Sequence, residues 1–164
     1  MLLEGNYDDI TISELCRRAG LSRKIFYRLF ERKSDVLYSL IDHTLIQSET
    51  YEPGPSVGPG ELHRFFAFWK SQKDLLDALV RHKNSSILTD QAVRYILREG
   101  SSYIHLFGAD IGDFKVETMV YYVSGIFSVM LTWHAQGFSH SIDDMSRLMM
   151  ELWSTPAFKN PWIG

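Results

Sequence analysis

The sequence of 164 residues is poor in cysteine, and its single cysteine, Cys16, has no partner for an internal disulfide. A secreted domain held together by disulfides is therefore excluded, and a reducing compartment fits the composition. The N-terminus also lacks the cationic start and the long apolar stretch of a secretory signal peptide. These absences predict a cytoplasmic protein.

Charge is missing from one long run, residues 118–142, which contains no Asp, Glu, Lys or Arg. A membrane-spanning helix needs about 20 mainly apolar residues, so the run is long enough to be tested as one. Polar and small residues dilute it, among them Ser124, Ser128 and Gln136, and no cluster of cations flanks it to set an orientation. We therefore predict a helix buried in protein and no membrane partner.

Catalytic and metal-binding motifs are absent as well. The sequence contains no HExxH, no G-x-S-x-G and no P-loop. Its six histidines are scattered and form no cluster with cysteine or carboxylates: they are His43, His63, His82, His105, His134 and His140. These absences predict that the protein is not an enzyme and uses no metal or cofactor.

No stretch alternates apolar and polar residues between turn residues, as a half-buried strand would. Apolar residues instead recur at helical spacing along most of the chain, which predicts an all-α fold. Residues 53–60 hold three prolines and three glycines and can only be a connector. We predict a small N-terminal helical domain over residues 1–45 and a helical-bundle domain over residues 46–164.

What the chain does have is a concentrated basic segment near its start. The formal net charge is −3, yet residues 17–33 hold seven basic residues and one acidic residue. Thr11 and Glu14 form a capping-box pattern, Gly20 is placed to end that helix, and Ser22 is placed to cap the next one. The pattern predicts two short helices joined by a tight turn.

The second of these helices divides into two faces when residues are spaced at about 100°. One face is polar and cationic, and it holds Arg23, Lys24, Tyr27 and Arg28. The opposite face is apolar and is predicted to be buried: Ile25, Phe26, Leu29 and Phe30. Two short helices with such a division predict a helix-turn-helix, whose second helix enters the major groove of DNA.

The residue types on the polar face suit nucleic-acid recognition. Arginine pairs with guanine through two hydrogen bonds, and lysine neutralises phosphate. Thr11 and Ser22 stand at helix N-termini, where hydroxyls and free backbone N–H groups suit phosphate oxygens. Tyr27 offers a hydroxyl and a ring, and Lys33 precedes the next helix within reach of the backbone. A solvated basic face without a partner is the plain alternative.

Residues 7–37 resemble the DNA-binding segment of the TetR family of bacterial transcriptional regulators. The shared skeleton is a glycine and an aromatic residue, then Thr11, Glu14, Leu15, Ala19, Gly20, Ser22, Phe26, Tyr27, Phe30 and Lys33. The resemblance implies a homodimer, usually a repressor, that binds a near-palindromic operator in double-stranded DNA and is released by a small ligand. It carries DNA contacts over to Ser22, Arg23, Lys24, Tyr27 and Lys33, and a phosphate contact to Thr11.

The sequence departs from the family pattern at two places. Family members often carry a polar His or Asn at the position of Leu29 and a Thr at that of Ile25, so one or two polar contacts are missing here. The family's first helix also precedes the region of Gly5, where only residues 1–4 stand in this sequence. We expect either a longer natural chain or a weakened DNA-binding domain with Ile10, Leu15 and Phe30 uncovered.

Aromatic residues are abundant in the second domain, and most of them are predicted to form its core. Trp69, Tyr95, Tyr103 and Tyr122 combine large rings with polar tips, and we predict that they line a pocket for an apolar or aromatic ligand.

A homodimer is predicted from two helices of this domain that are more apolar than a small monomer needs. They are the uncharged run and a final helix capped by Ser141 and Asp144, whose apolar face is Met145, Leu148, Met149 and Leu152. Each is expected to pair with its symmetry mate in a four-helix contact. The alternative function is a protein-interaction module derived from a regulator, with impaired or no DNA binding.

Overall fold

The computed structural model describes residues 9–51, 60–99 and 115–154, and this part of the chain is all-α, as predicted. Its helices are α1 (Ile12–Ala19), α2 (Arg23–Leu29), α3 (Lys33–Glu49), α4 (Glu61–Ser71), α5 (Lys73–Arg81), α6 (Ser85–Glu99), α7 (Lys115–Ala135) and α8 (Ile142–Ser154). The predicted connector at 53–60 lies outside the described residues except for Gly60.

The turn between α1 and α2 follows the local signals in the sequence. The Thr11 hydroxyl accepts a hydrogen bond from the Glu14 backbone N–H at 3.1 Å. Gly20 has φ 65° and ψ 26°, the left-handed conformation that glycine adopts without steric cost. The Ser22 hydroxyl then accepts from the Ile25 backbone N–H at 3.2 Å and begins α2.

The apolar half of α2 is less buried than the helical wheel predicts. Phe26 is buried and Ile25 and Phe30 are half-buried, but the Leu29 side chain is 59% exposed. The prediction that Leu29 lies in the core is therefore wrong. Leu29 is the last residue of α2, where the helix ends and Phe30 is extended at φ −138°. The Phe30 ring, and not Leu29, packs on Phe26, with 5.5 Å between the ring centroids.

The long helix α3 connects the basic segment to the bundle. It begins at Lys33. The Asp35 carboxylate, in the first turn, caps this start by accepting hydrogen bonds from the backbone N–H groups of Glu31 and Arg32, at 2.9 and 2.8 Å. It then buries Leu37, Ile41, Thr44 and Leu45 and runs without a break past residue 45 to Glu49.

The core of the bundle is aromatic and lies among α3, α4, α6, α7 and α8. Helix α6 packs on α3 and α7, and α4 packs on α8. The rings of Trp69 and Phe127 meet at 5.3 Å between centroids, and those of Phe66 and Trp133 at 5.6 Å, both nearly edge to face. Phe66 and Trp69 have no exposed surface, so these two aromatic residues of α4 lie in the core, as predicted for most aromatic residues of this domain.

The uncharged run folds as most of α7, which is buried along one side only. Met119, Val123, Phe127, Met130 and Trp133 point inward, while Tyr121 is 58% exposed. A left-handed Gly137, at φ 68°, follows the end of the helix at Ala135. None of the helices in the described ranges is both long enough and apolar enough to cross a membrane.

The final helix, α8, begins as the sequence predicts but faces the core differently. The Ser141 hydroxyl accepts from the Asp144 backbone N–H at 3.1 Å and donates to the Asp144 carboxylate at 2.7 Å. Met145 and Met149 are buried, but Leu148 is 41% exposed and Leu152 is 53% exposed. The predicted four-residue apolar face is therefore only half covered within one chain, because α8 lies at the edge of the bundle against α4.

Candidate nucleic-acid interface

The four predicted contact residues of α2 all lie on the solvent side of the helix. Arg23, Lys24, Tyr27 and Arg28 are exposed, whereas Phe26 on the opposite side is 4% exposed. The Arg23 guanidinium lies 6.0 Å from the centroid of the Tyr27 ring, a loose cation–π contact. The polar face therefore presents three cations and a phenol side by side.

Thr11, Ser22 and Lys33 extend this surface to the neighbouring helix ends. Thr11 and Ser22 are exposed, and each hydroxyl accepts a backbone hydrogen bond that caps its helix. Such a hydroxyl still has its own hydrogen to donate, for example to a phosphate oxygen. Lys33 is half-buried and is the first residue of α3.

A contact that the sequence analysis missed engages the two arginines of α1. The Glu14 carboxylate accepts from Arg17 Nη2 at 2.7 Å, from Arg17 Nε at 2.9 Å and from Arg18 Nε at 2.6 Å. These bonds, first from Arg17 and then from Arg18, lower the pKa of Glu14 to about 2. The capping-box pattern had suggested that Glu14 would reach back toward Thr11, but the spacing of three and four residues suits the arginines equally well.

The predicted ligand-pocket residues are spread over the bundle. Trp69 on α4 is fully buried, and its indole Nε1 has no hydrogen-bond acceptor among the described residues. Tyr95 on α6 is 5% exposed; burial and a hydrogen bond to the Glu49 carboxylate on α3 raise its pKa. Tyr122 on α7 is half-buried, with its ring 5.5 Å from that of Trp153. Tyr103 lies outside the described residues.

Two histidine–aspartate pairs, also missed from sequence, join helices of the bundle. His134 on α7 is 8% exposed, and its Nε2 lies 2.7 Å from an Asp77 carboxylate oxygen on α5. Hydrogen bonds from Lys73 and from His134 lower the pKa of Asp77. His63 Nε2 on α4 lies 2.8 Å from the Oδ1 atom of Asp143 on α8. Within residues 9–51, 60–99 and 115–154, no three histidine, cysteine or carboxylate side chains are grouped to hold a metal ion.

An open groove of about 340 Å³ runs between α7 and α8. Its apolar wall includes Val129 and Trp133 from α7 and Met145 and Leu148 from α8, and Thr132 adds a hydroxyl. The groove lies beside the uncovered half of the α8 face.

Comparison with known proteins adds no relative: no family model, no curated protein and no solved structure matches this chain.

Proposed function

We propose that the protein is a DNA-binding transcriptional regulator of the TetR type, with α1 and α2 as its helix-turn-helix. The observation that carries the proposal is the division of α2, which exposes Arg23, Lys24, Tyr27 and Arg28 opposite a buried Phe26. A helix of this kind is anchored by its apolar side and offers its cations to the major groove. Its site of action is the cytoplasm.

The roles of the contact residues follow from their chemistry. Arg23 and Arg28 can each bind the O6 and N7 acceptors of guanine with two parallel hydrogen bonds. Lys24 and Lys33 act as point charges for phosphates, which position the protein without reading sequence. The Thr11 and Ser22 hydroxyls, beside the free N–H groups of two helix N-termini, add phosphate contacts of the same positioning kind.

Binding is expected to weaken steeply as salt is added. A dimer that neutralises about 5 to 8 phosphates gives a slope of about −4.5 to −7 in a plot of log affinity against log salt. The measurement is fluorescence anisotropy with duplexes tiled across the intergenic region beside the protein's own gene. Absence of saturable, salt-dependent binding on every duplex would remove the regulator from consideration and leave the protein-interaction module as the function.

The proposed regulator is a repressor that acts as a homodimer. Its two copies meet through α7 and α8. Two observations support this contact. The groove between α7 and α8 has an apolar wall, and Leu148 and Leu152 are exposed, so a single chain leaves this apolar surface in water. Pairing α7 and α8 with their symmetry mates would cover both and give a four-helix contact. Two copies are also needed to present α2 to two half-sites about one DNA turn apart.

Leu148→Glu is expected to convert the dimer into a monomer, since it places two carboxylates near the two-fold axis of an apolar contact. Leu97→Glu is the matched control: Leu97 on α6 has the same 41% exposure as Leu148 but lies away from the groove. Light scattering coupled to size-exclusion chromatography measures the mass of each variant. A native dimer whose mass both variants keep would place the dimer contact elsewhere, and a monomeric native protein would overturn the proposed dimer.

The proposed signal is a small apolar or aromatic ligand that enters the bundle and releases the protein from DNA. Trp69 supports such a site, because a buried indole N–H without an acceptor is costly until a partner reaches it. Tyr95 is better explained as a structural link, since its hydroxyl is already bonded to Glu49.

A further inference from the structure

The three side chains Glu14, Arg17 and Arg18 form a compact ionic group on α1, the helix that packs on α2. Both oxygens of the carboxylate are engaged by guanidinium N–H groups, at 2.6 to 2.9 Å. The group is solvent-facing: Arg17 and Arg18 expose 70% and 47% of their side chains, and Glu14 exposes 34%. Exposed pairs of this kind contribute little to folding stability.

We propose that Glu14 is a specificity-determining residue, which holds Arg17 and Arg18 against itself and so limits sequence-independent binding to DNA. The inference rests on the proposed function. Phosphate contacts attract any DNA, whereas base contacts from α2 distinguish one sequence from another. Every cation of α1 that is withheld from phosphate therefore raises the share of the binding energy that comes from base contacts.

The electrostatics of the group support this role. With Glu14 charged, the three side chains carry a net charge of +1 instead of the +2 of the arginines alone. The pKa of Glu14 is lowered to about 2 by the two arginines, so its negative charge persists at every pH at which the protein would work. The hydrogen bonds also direct the guanidinium groups of Arg17 and Arg18 toward residue 14.

The test compares Glu14→Gln with Glu31→Gln. Glu31 is exposed and lies in the basic segment that follows Glu14, so both variants remove one negative charge, but Glu14 is the one that binds arginines through its carboxylate. Affinity for a short random-sequence duplex is measured at several salt concentrations, and affinity for the best intergenic duplex is measured beside it. Thermal melts followed by circular dichroism establish that each variant is folded.

Relative to Glu31→Gln, Glu14→Gln is expected to steepen the salt slope of the proposed dimer on random DNA by about 2 to 4, since one or two arginines in each copy reach phosphate and each newly neutralised phosphate adds about 0.9. Its preference for the intergenic duplex over random DNA should fall. Arg17→Gln/Arg18→Gln should change the slope little in the native background and should cancel the increase in the Glu14→Gln background.

Equal slopes and equal preferences for Glu14→Gln and Glu31→Gln would overturn the inference while leaving the regulator intact. So would a large loss of slope from Arg17→Gln/Arg18→Gln in the native background, because that would mean the arginines already contact phosphate. Absence of salt-dependent binding by the native protein would overturn the proposed function and this inference together.

Discussion

Arg23→Ala/Lys24→Ala is expected to weaken binding to the intergenic duplex by at least about 100-fold, since a bidentate base contact alone contributes about 1–3 kcal/mol. A dimer loses both side chains twice. Both residues are exposed on α2, so the double variant should fold and melt like the native protein. Fluorescence anisotropy measures the affinity, and circular dichroism measures the melt.

The control for this double variant is Arg94→Ala/Lys115→Ala. It removes one arginine and one lysine that are also exposed, but from α6 and α7. A general attraction between DNA and any cationic side chain would weaken both double variants alike. If the two lose affinity equally, α2 is not the reading helix and the proposal fails.

The largest change in stability is expected at Trp69. Trp69→Ala removes a fully buried ring from contact with Phe65, Phe68 and Phe127 and should lower the free energy of unfolding by about 3–5 kcal/mol. Urea unfolding followed by circular dichroism measures this change.

The buried N–H of Trp69 is tested by comparing two conservative substitutions. Trp133 is also buried, at 1% exposed, but its indole N–H donates to the His140 carbonyl at 3.1 Å. Trp69→Phe removes a donor that has no acceptor in the described residues, while Trp133→Phe removes a hydrogen bond. Trp133→Phe should therefore cost about 1 kcal/mol more than Trp69→Phe. A higher cost for Trp69→Phe would show that its N–H is bonded, and Trp69 would then lose its support as a ligand contact.

Signals that act over three or four residues were read correctly from the sequence. Thr11, Ser22 and Ser141 cap their helices, and Gly20 adopts the left-handed conformation that ends α1. Each of these caps and turns depends on the backbone geometry of the neighbouring residues, so the rest of the fold has little effect on whether it forms. The all-α class followed from the same kind of periodic, local pattern.

The degree of burial of a side chain and the contacts between residues far apart in the chain were predicted less well from the sequence. Leu29 and Leu148 fit an apolar stripe, but whether a stripe is covered depends on which helices pack against it, and periodicity does not contain that information. His134 and Asp77 are separated by 57 positions along the chain, and no local pattern joins them. The Glu14 group could have been anticipated, because its spacings of three and four residues are those of neighbours on one helix face.

Helix α3 has 17 residues and is therefore about 25 Å long. Its first residue adjoins the basic segment, while Ile41 and Leu45 are held in the core and Glu49 is bonded to Tyr95. A rotation of this rod by about 5° around its far end shifts its start by about 2 Å, given the rise per residue of an α-helix. If two copies bind DNA as proposed, the two α2 helices would shift with the two α3 helices, and a small rearrangement of the aromatic core would change the distance between them relative to the fixed repeat of the double helix.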